Sequence, residues 1–409
     1  MLRVETGLHV RMKVEPGAAG FNELAEWAFG IRGLVIEAIL AKLLWALQEG
    51  HLAAVLRGEA ELVCRGPGCG VIHSGPGSVL RRGSRPRQLR TSGGLVRFRL
   101  RQVTCPVCGR TWSPYPRLLG LRPRQRVTEE LVHRMVDLVT ELSYAKTSAL
   151  AEDWLGVSYS PRSLHREVQH RGEQLEFQVT GPVETLVADG TKVPAGRKRR
   201  GEDVVMAFEI GARRKHRGRT SVEKRLVGFG LGAGGWSEAM SECGDPTLVV
   251  TDGESGIAPV VAEQCPRARH QRCHWHLPYS LRHMLGREGL PLADTRRIAG
   301  EVAELLRTGD RSRYDELAAE LAPYPRSQRL LKGAADYVFH EPAPAERTTG
   351  LAERAMREIN RRVDNGARWS VRGVRNLLKL RLARRYNPED YDRLWGRASG
   401  LQATVVAHA

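Results

Sequence analysis

The chain has 409 residues, with 64 Lys+Arg against 46 Asp+Glu and a formal net charge of +18. That excess is larger than solubility requires and points to a polyanionic partner, nucleic acid first. No run of about 18 apolar residues occurs, since Arg32, Glu37 and Lys42 break the most apolar segment, so a membrane span is excluded. The N-terminus lacks the pattern of a signal peptide, and four of the seven cysteines cluster between residues 64 and 108. This favours a reducing cytoplasm and metal binding over a disulfide framework.

Residues 21–57 read as one helix within an N-terminal segment 1–57, with Leu34, Ile36, Ile39, Leu40, Leu43 and Leu44 on a broad apolar face. The segment 58–118 is rich in Gly, Pro and Cys. Cys64 and Cys69 form C-x4-C, and Cys105 and Cys108 form C-x2-C. Tetrahedral zinc takes four soft ligands brought from two turns, and the neighbouring Gly and Pro permit turns tight enough to aim them. The spacing predicts a zinc ribbon in which the Zn2+ ion is structural; His73 is a competing ligand. Between the pairs, "LVRFRLRQV" alternates Val96, Phe98 and Leu100 with Arg97, Arg99 and Arg101, the period of a half-buried strand with a basic exposed face.

From Val127 the period turns helical. Within 122–180, "VTEELVHRMVDLVTEL" and "AKTSALAEDWLG" read as helices, the second ending at Gly156. "SPRSLHREVQHRGEQLEF" is a third, with Ser160 as N-cap and Pro161 at its first position. Three helices with a Gly-containing turn before a basic third one predict a helix-turn-helix, with Arg162, His165 and Arg166 facing DNA.

Within 183–280, "ETLVAD", "DVVMAFEIG" and "KRLVGFGLG" read as three strands. A helix from Trp236, the strand "TLVVTDG", the helix "SGIAPVVAEQC" and the strand "ARHQRC" follow. Such an order indicates an α/β fold with a mixed sheet. "GLGAGG" matches G-x-G-x-x-G, but it follows the third strand rather than opening a βαβ unit, and reads as a turn. Asp189 and Asp252 each end an apolar strand and each precede a glycine. Two carboxylates brought together this way repel unless divalent cations neutralise them. A third acid is then expected from a helix, and "TTGLAERAMREINRR" offers Glu353 and Glu358. Three acids holding two metal ions would form a clamp for in-line phosphoryl transfer. Residues 281–346 are mainly helical, and 347–409 contain that helix and a basic one with Arg372, Arg375, Lys379 and Arg381.

Together, "VADGTKV", "VVTDGESGI", "RHQRCHWH" and "ERTTGLAERAMREINRR" resemble the catalytic domain of a DDE transposase of the bacterial Mutator-like type, over residues 183–386. The resemblance implies an RNase H-like core interrupted by an all-helical insertion, preceded here by the zinc ribbon and helix-turn-helix. It implies Asp189, Asp252 and Glu353 as catalytic ligands of Mg2+ or Mn2+; "TTGLAER" selects Glu353, with Gly350 where the family usually has Asn. Cys273 and His276 match the family's C-x-x-H motif. Two ligands are too few for a closed zinc site, so they read as a hydrogen-bonding pair that positions the strand end near Asp252.

The implied activity is transposition: cutting at element ends and joining the 3′-hydroxyl to target DNA. The partners would be terminal inverted repeats, target DNA and at least a second copy of the chain, on DNA in a prokaryotic cytoplasm. Arg199 and Arg200, then Arg213, Arg214 and Lys215, are expected on loops beside the active site, giving general phosphate affinity. The alternatives are a transposase-derived DNA-binding regulator without catalysis and a metal-dependent DNA nuclease.

Overall fold

The computed structural model describes residues 20–396 apart from 180, 198–200, 217–218, 255 and 365–367. The chain divides into two units, one ending at Glu167 and the other beginning at Val168. No described helix is long and apolar enough to cross a membrane.

The first unit opens with helix α1 (Phe21–Arg57), which stops at Gly58 in the left-handed conformation. A short hairpin, β1 (Leu62–Val63) and β2 (Ile72–His73), precedes a three-stranded antiparallel sheet. Its strands are β3 (Leu80–Thr91), β4 (Gly94–Thr104) and β5 (Thr111–Trp112), in that order. β4 is the strand expected from the alternating pattern: Val96, Phe98 and Leu100 are buried and pack with Leu52 and Val55 of α1. Its basic side is exposed at Arg97 and Arg99 and half-buried at Arg101. Arg97 pairs with Glu37 at 3.3 Å and Arg101 with Glu49 at 2.6 Å, both acids on α1.

α1 also seals the edge of β4, where unpaired backbone groups invite foreign strands. The buried Gln48 amide accepts from the Arg101 N–H at 2.9 Å and donates to the Arg99 carbonyl at 3.0 Å. The predicted apolar face of α1 is only half used: Leu40 and Leu44 pack against the sheet, whereas Leu34 and Ile39 are exposed.

A short helix α2 (Tyr115–Leu118) leads to α3 (Glu129–Glu141), α4 (Tyr144–Leu155) and α5 (Pro161–Gln174). These are the three expected helices. Thr128, Ser143 and Ser160 accept hydrogen bonds from backbone N–H groups three residues on, the interaction that favours Ser and Thr at helix starts. Gly156 closes α4 in the left-handed region. The boundary between the two units falls within α5.

The second unit is built on a five-stranded mixed sheet. β6 (Thr185–Val193), β7 (Glu202–His216) and β8 (Arg219–Leu231) form an antiparallel meander. Helix α6 (Gly235–Ser241), β9 (Leu248–Thr251), α7 (Ile257–Gln264) and β10 (Arg269–Arg272) follow, giving the strand order β10-β9-β6-β7-β8. β9 is parallel to both β6 and β10. The glycines of "GLGAGG" serve packing: a β-carbon on Gly230 would lie 1.8 Å from the Gly235 carbonyl, so α6 can approach β8 only where glycine stands.

Four helices then pack around their own core: α8 (His276–Arg287), α9 (Leu292–Thr308), α10 (Arg311–Glu320) and α11 (Pro325–Val338). The chain returns to the sheet with α12 (Gly350–Val363), α13 (Val371–Tyr386) and α14 (Pro388–Leu394). Helices cover both faces of the sheet. Val187, Met206 and Phe208 pack with Ala355, Ile359 and Leu378 of α12 and α13, while Leu186, Ala188 and Ala207 pack with Met240 and Val261 of α6 and α7.

Candidate functional site

The alternation along β6 determines where Asp189 points. Val187 faces the α12–α13 layer, and successive side chains alternate, so Asp189 faces the same layer. On β9, Leu248 and Val250 face that layer too, which places Asp252, just past the strand end, on the same side. The parallel register pairs each β9 residue with the β6 residue 63 positions earlier, and 63 positions also separate Asp252 from Asp189. The two carboxylates are therefore level on neighbouring strands. One detail differs from expectation: β6 continues to Val193, so Asp189 lies inside the strand rather than at its end.

Glu353 reaches the same place from the first turn of α12. Asp189, Asp252 and Glu353 line one cleft of about 1120 Å³ with Glu254, Arg272 and His276. Burial, then the neighbouring charge of Asp252, pushes the Asp189 carboxyl up to about 7, although it accepts a 2.8 Å hydrogen bond from the Gly190 N–H. Asp252 accepts from the Glu254 N–H at 3.1 Å, and Glu353 pairs with Arg357 at 3.7 Å. The Glu254 carboxyl is also raised, by burial and then by Asp252. Glu358 lies elsewhere on α12, paired with Arg385 at 2.9 Å and near the Tyr386 hydroxyl at 3.4 Å.

Cys273 and His276 connect the strand ends to the helix that carries Glu353. The Cys273 N–H donates to the carbonyl of Thr251, the residue before Asp252, at 2.7 Å. Its buried sulfur accepts from the N–H of Thr349 at 3.4 Å, and the Thr349 hydroxyl lies 3.2 Å from His276 Nδ1. Thr349 is the N-cap of α12. Burial favours the neutral Cys273 thiol, but hydrogen bonds from His276 and Thr349 outweigh it and lower its pKa. The sequence reading linked this pair to Asp252 alone and missed Thr349, whose role depends on a contact 76 residues away.

The four N-terminal cysteines are close enough to bind a metal: their sulfurs all lie within 4.8 Å of one another. The Cys64 and Cys108 sulfurs are 3.6 Å apart, those of Cys69 and Cys105 3.9 Å. Gly66 is needed here, since a β-carbon would sit 2.9 Å from the Cys108 sulfur. His73 is not in the group; its ring packs against Trp112. Among the described residues this is the one cluster of three or more ligand side chains at such spacing, so the three carboxylates of the cleft stand farther apart than the thiols do.

Arg162, His165 and Arg166 are exposed at helical neighbours on α5. Arg199 and Arg200 lie outside the described residues. Arg213, Arg214 and Lys215 are not on a loop beside the cleft. They continue β7 beyond the start of β6, because the β7–β8 hairpin is longer than its apolar pattern. Arg213 is ion-paired with Glu346 in a separate hollow, and Arg214 lies 3.5 Å from Glu223. No family model and no curated protein matches the chain.

Proposed function

We propose that the chain is a DNA transposase whose second unit is an RNase H-like core interrupted by the α8–α11 helices. The observation that carries this reading is the level placement of Asp189 and Asp252 on parallel neighbours, with Glu353 entering the same cleft from α12. Hard carboxylate oxygens suit Mg2+ or Mn2+, and the Asp189 carboxyl, raised first by burial and then by the charge of Asp252, is one that a bound divalent cation would hold ionised. Bound there, two such ions would activate an attacking hydroxyl and stabilise the leaving oxygen of a phosphodiester. Asp189, Asp252 and Glu353 would hold them, and Cys273, Thr349 and His276 would keep α12 in register with the strand ends.

Cys64, Cys69, Cys105 and Cys108 would bind one structural zinc, and α3–α5 would read the inverted repeats as a helix-turn-helix. Joining two ends implies at least a dimer on DNA. The test is a duplex carrying the repeats that flank the gene, incubated with protein and Mg2+. The expected result is cleavage that frees a 3′-hydroxyl, followed by strand transfer, both lost in Asp189→Asn, Asp252→Asn and Glu353→Gln proteins that still bind the duplex. Binding without cleavage by the unaltered chain would favour a regulator, and cleavage without joining a nuclease.

A further inference from the structure

Unit 1 contains a second concentration of charge. The segment from Ser113 to Thr128 runs beside the outer edge of β3, and the Arg90 N–H donates to the Arg126 carbonyl at 2.9 Å. Two adjoining hollows of about 810 and 1050 Å³ lie along this seam and share Arg85, Arg87 and Arg124. Arg90, Arg117 and Arg126 also line them, and Glu61 is the one acidic residue among the described lining residues.

Among the described residues, Arg85, Arg117, Arg124 and Arg126 form no ion pair. Burial, then repulsion from Arg85, lowers the pKa of Arg87, so like charge is gathered with Glu61 the one acid among the described lining residues to offset it. Two features hold the arrangement in place. The Arg87 guanidinium donates to the carbonyls of Arg122 at 3.0 Å and Gln125 at 3.2 Å, fixing the loop. Arg124 has φ +58°, the one described non-glycine residue in the left-handed region. Such a backbone is strained for a side chain with a β-carbon, and glycine would remove that strain. Selection for stability alone explains neither the strain nor the crowding.

We propose that this seam is a phosphate-tracking groove in which Arg85, Arg117, Arg124 and Arg126 contact the backbone of duplex DNA. The proposal rests on the nucleic-acid reading above and adds a surface that the sequence assigned to none of its DNA contacts. The smaller hollow is also bounded by Gly156, Val157 and Ser158, the turn into α5, so a duplex backbone in the groove leads toward Arg162. Contacts of this kind give affinity and register without base information.

The test uses the full chain and fluorescently labelled duplex DNA of random sequence, titrated at several salt concentrations. Arg124→Gly should melt no lower than the unaltered chain and yet bind more weakly. Arg85→Ala combined with Arg124→Gly should make the dependence of log affinity on log salt shallower by about 0.9 per lost phosphate contact. Arg85→Lys, which keeps the charge, should restore most of the slope lost in Arg85→Ala. If the double variant binds with unchanged affinity and slope, the groove is not the DNA surface, although the transposase reading survives. If the unaltered chain binds no duplex even at low salt, both readings fail together.

Discussion

Asp189 illustrates how one buried carboxylate registers its neighbours. Its pKa of about 7 in the folded chain lies above its ordinary value of 3.8, so the folded state favours the protonated form. That contribution favours folding at low pH and is lost as pH rises from about 4 through 7. In magnesium-free buffer, Asp189→Asn should therefore raise the melting temperature, by an amount that grows over that interval and levels off above it. A variant no more stable at pH 8 than at pH 4, relative to the unaltered chain, would contradict the burial and crowding described here. Glu358→Gln should leave DNA cleavage within a few-fold of normal, because Glu358 serves Arg385 and Tyr386 away from the cleft. Thr349→Val should lower the cleavage rate while sparing DNA affinity, since it removes the hydroxyl between Cys273 and His276.

At the scale of elements, both units seal a strand with a buried side-chain amide. In the first, Gln48 clamps β4; in the second, Asn387 accepts from the Leu226 N–H at 3.1 Å and donates to its carbonyl at 2.9 Å. Gln48→Leu and Asn387→Leu each strand backbone groups away from water, at a cost of about 1–3 kcal/mol. Chemical denaturation checks this, and a change below a few tenths of a kcal/mol in either variant would show that the edge is hydrated instead.

Elements with a simple period were legible in the sequence: β4 from its alternation, α3 from its amphipathic period, α4 from its stop at Gly156, α5 from its start at Ser160 and Pro161, and the meander of the second unit from its apolar runs. β3 was not, because Gly83, Pro86 and five arginines mask any alternation on an edge strand that buries little. Arg213–Lys215 were misread for a related reason. A run of charge resembles a loop, and only the partner strand reveals a hairpin that extends past the core. The C-x-x-H pair was visible, but its hold on Thr349 was not, since sequence spacing carries no record of which helix returns beside it.

For the whole molecule, the sequence separated a cysteine-bearing basic region from a carboxylate-bearing α/β region at about residue 180, whereas the fold divides at Glu167, inside α5. The cysteine cluster should hold one zinc per chain. Elemental analysis of the purified protein should find it, and Cys105→Ser protein with undiminished zinc would refute the assignment. The carboxylate cleft carries the central claim, that Asp189, Asp252 and Glu353 together form a divalent-cation site for phosphoryl transfer. Calorimetric titration of the zinc-loaded chain with Mn2+ tests it most directly. The account predicts saturable binding that Asp189→Asn, Asp252→Asn and Glu353→Gln each weaken at least roughly tenfold, as loss of a ligating carboxylate should. Mn2+ binding identical in all four proteins, or absent from the unaltered chain with DNA bound, would contradict it.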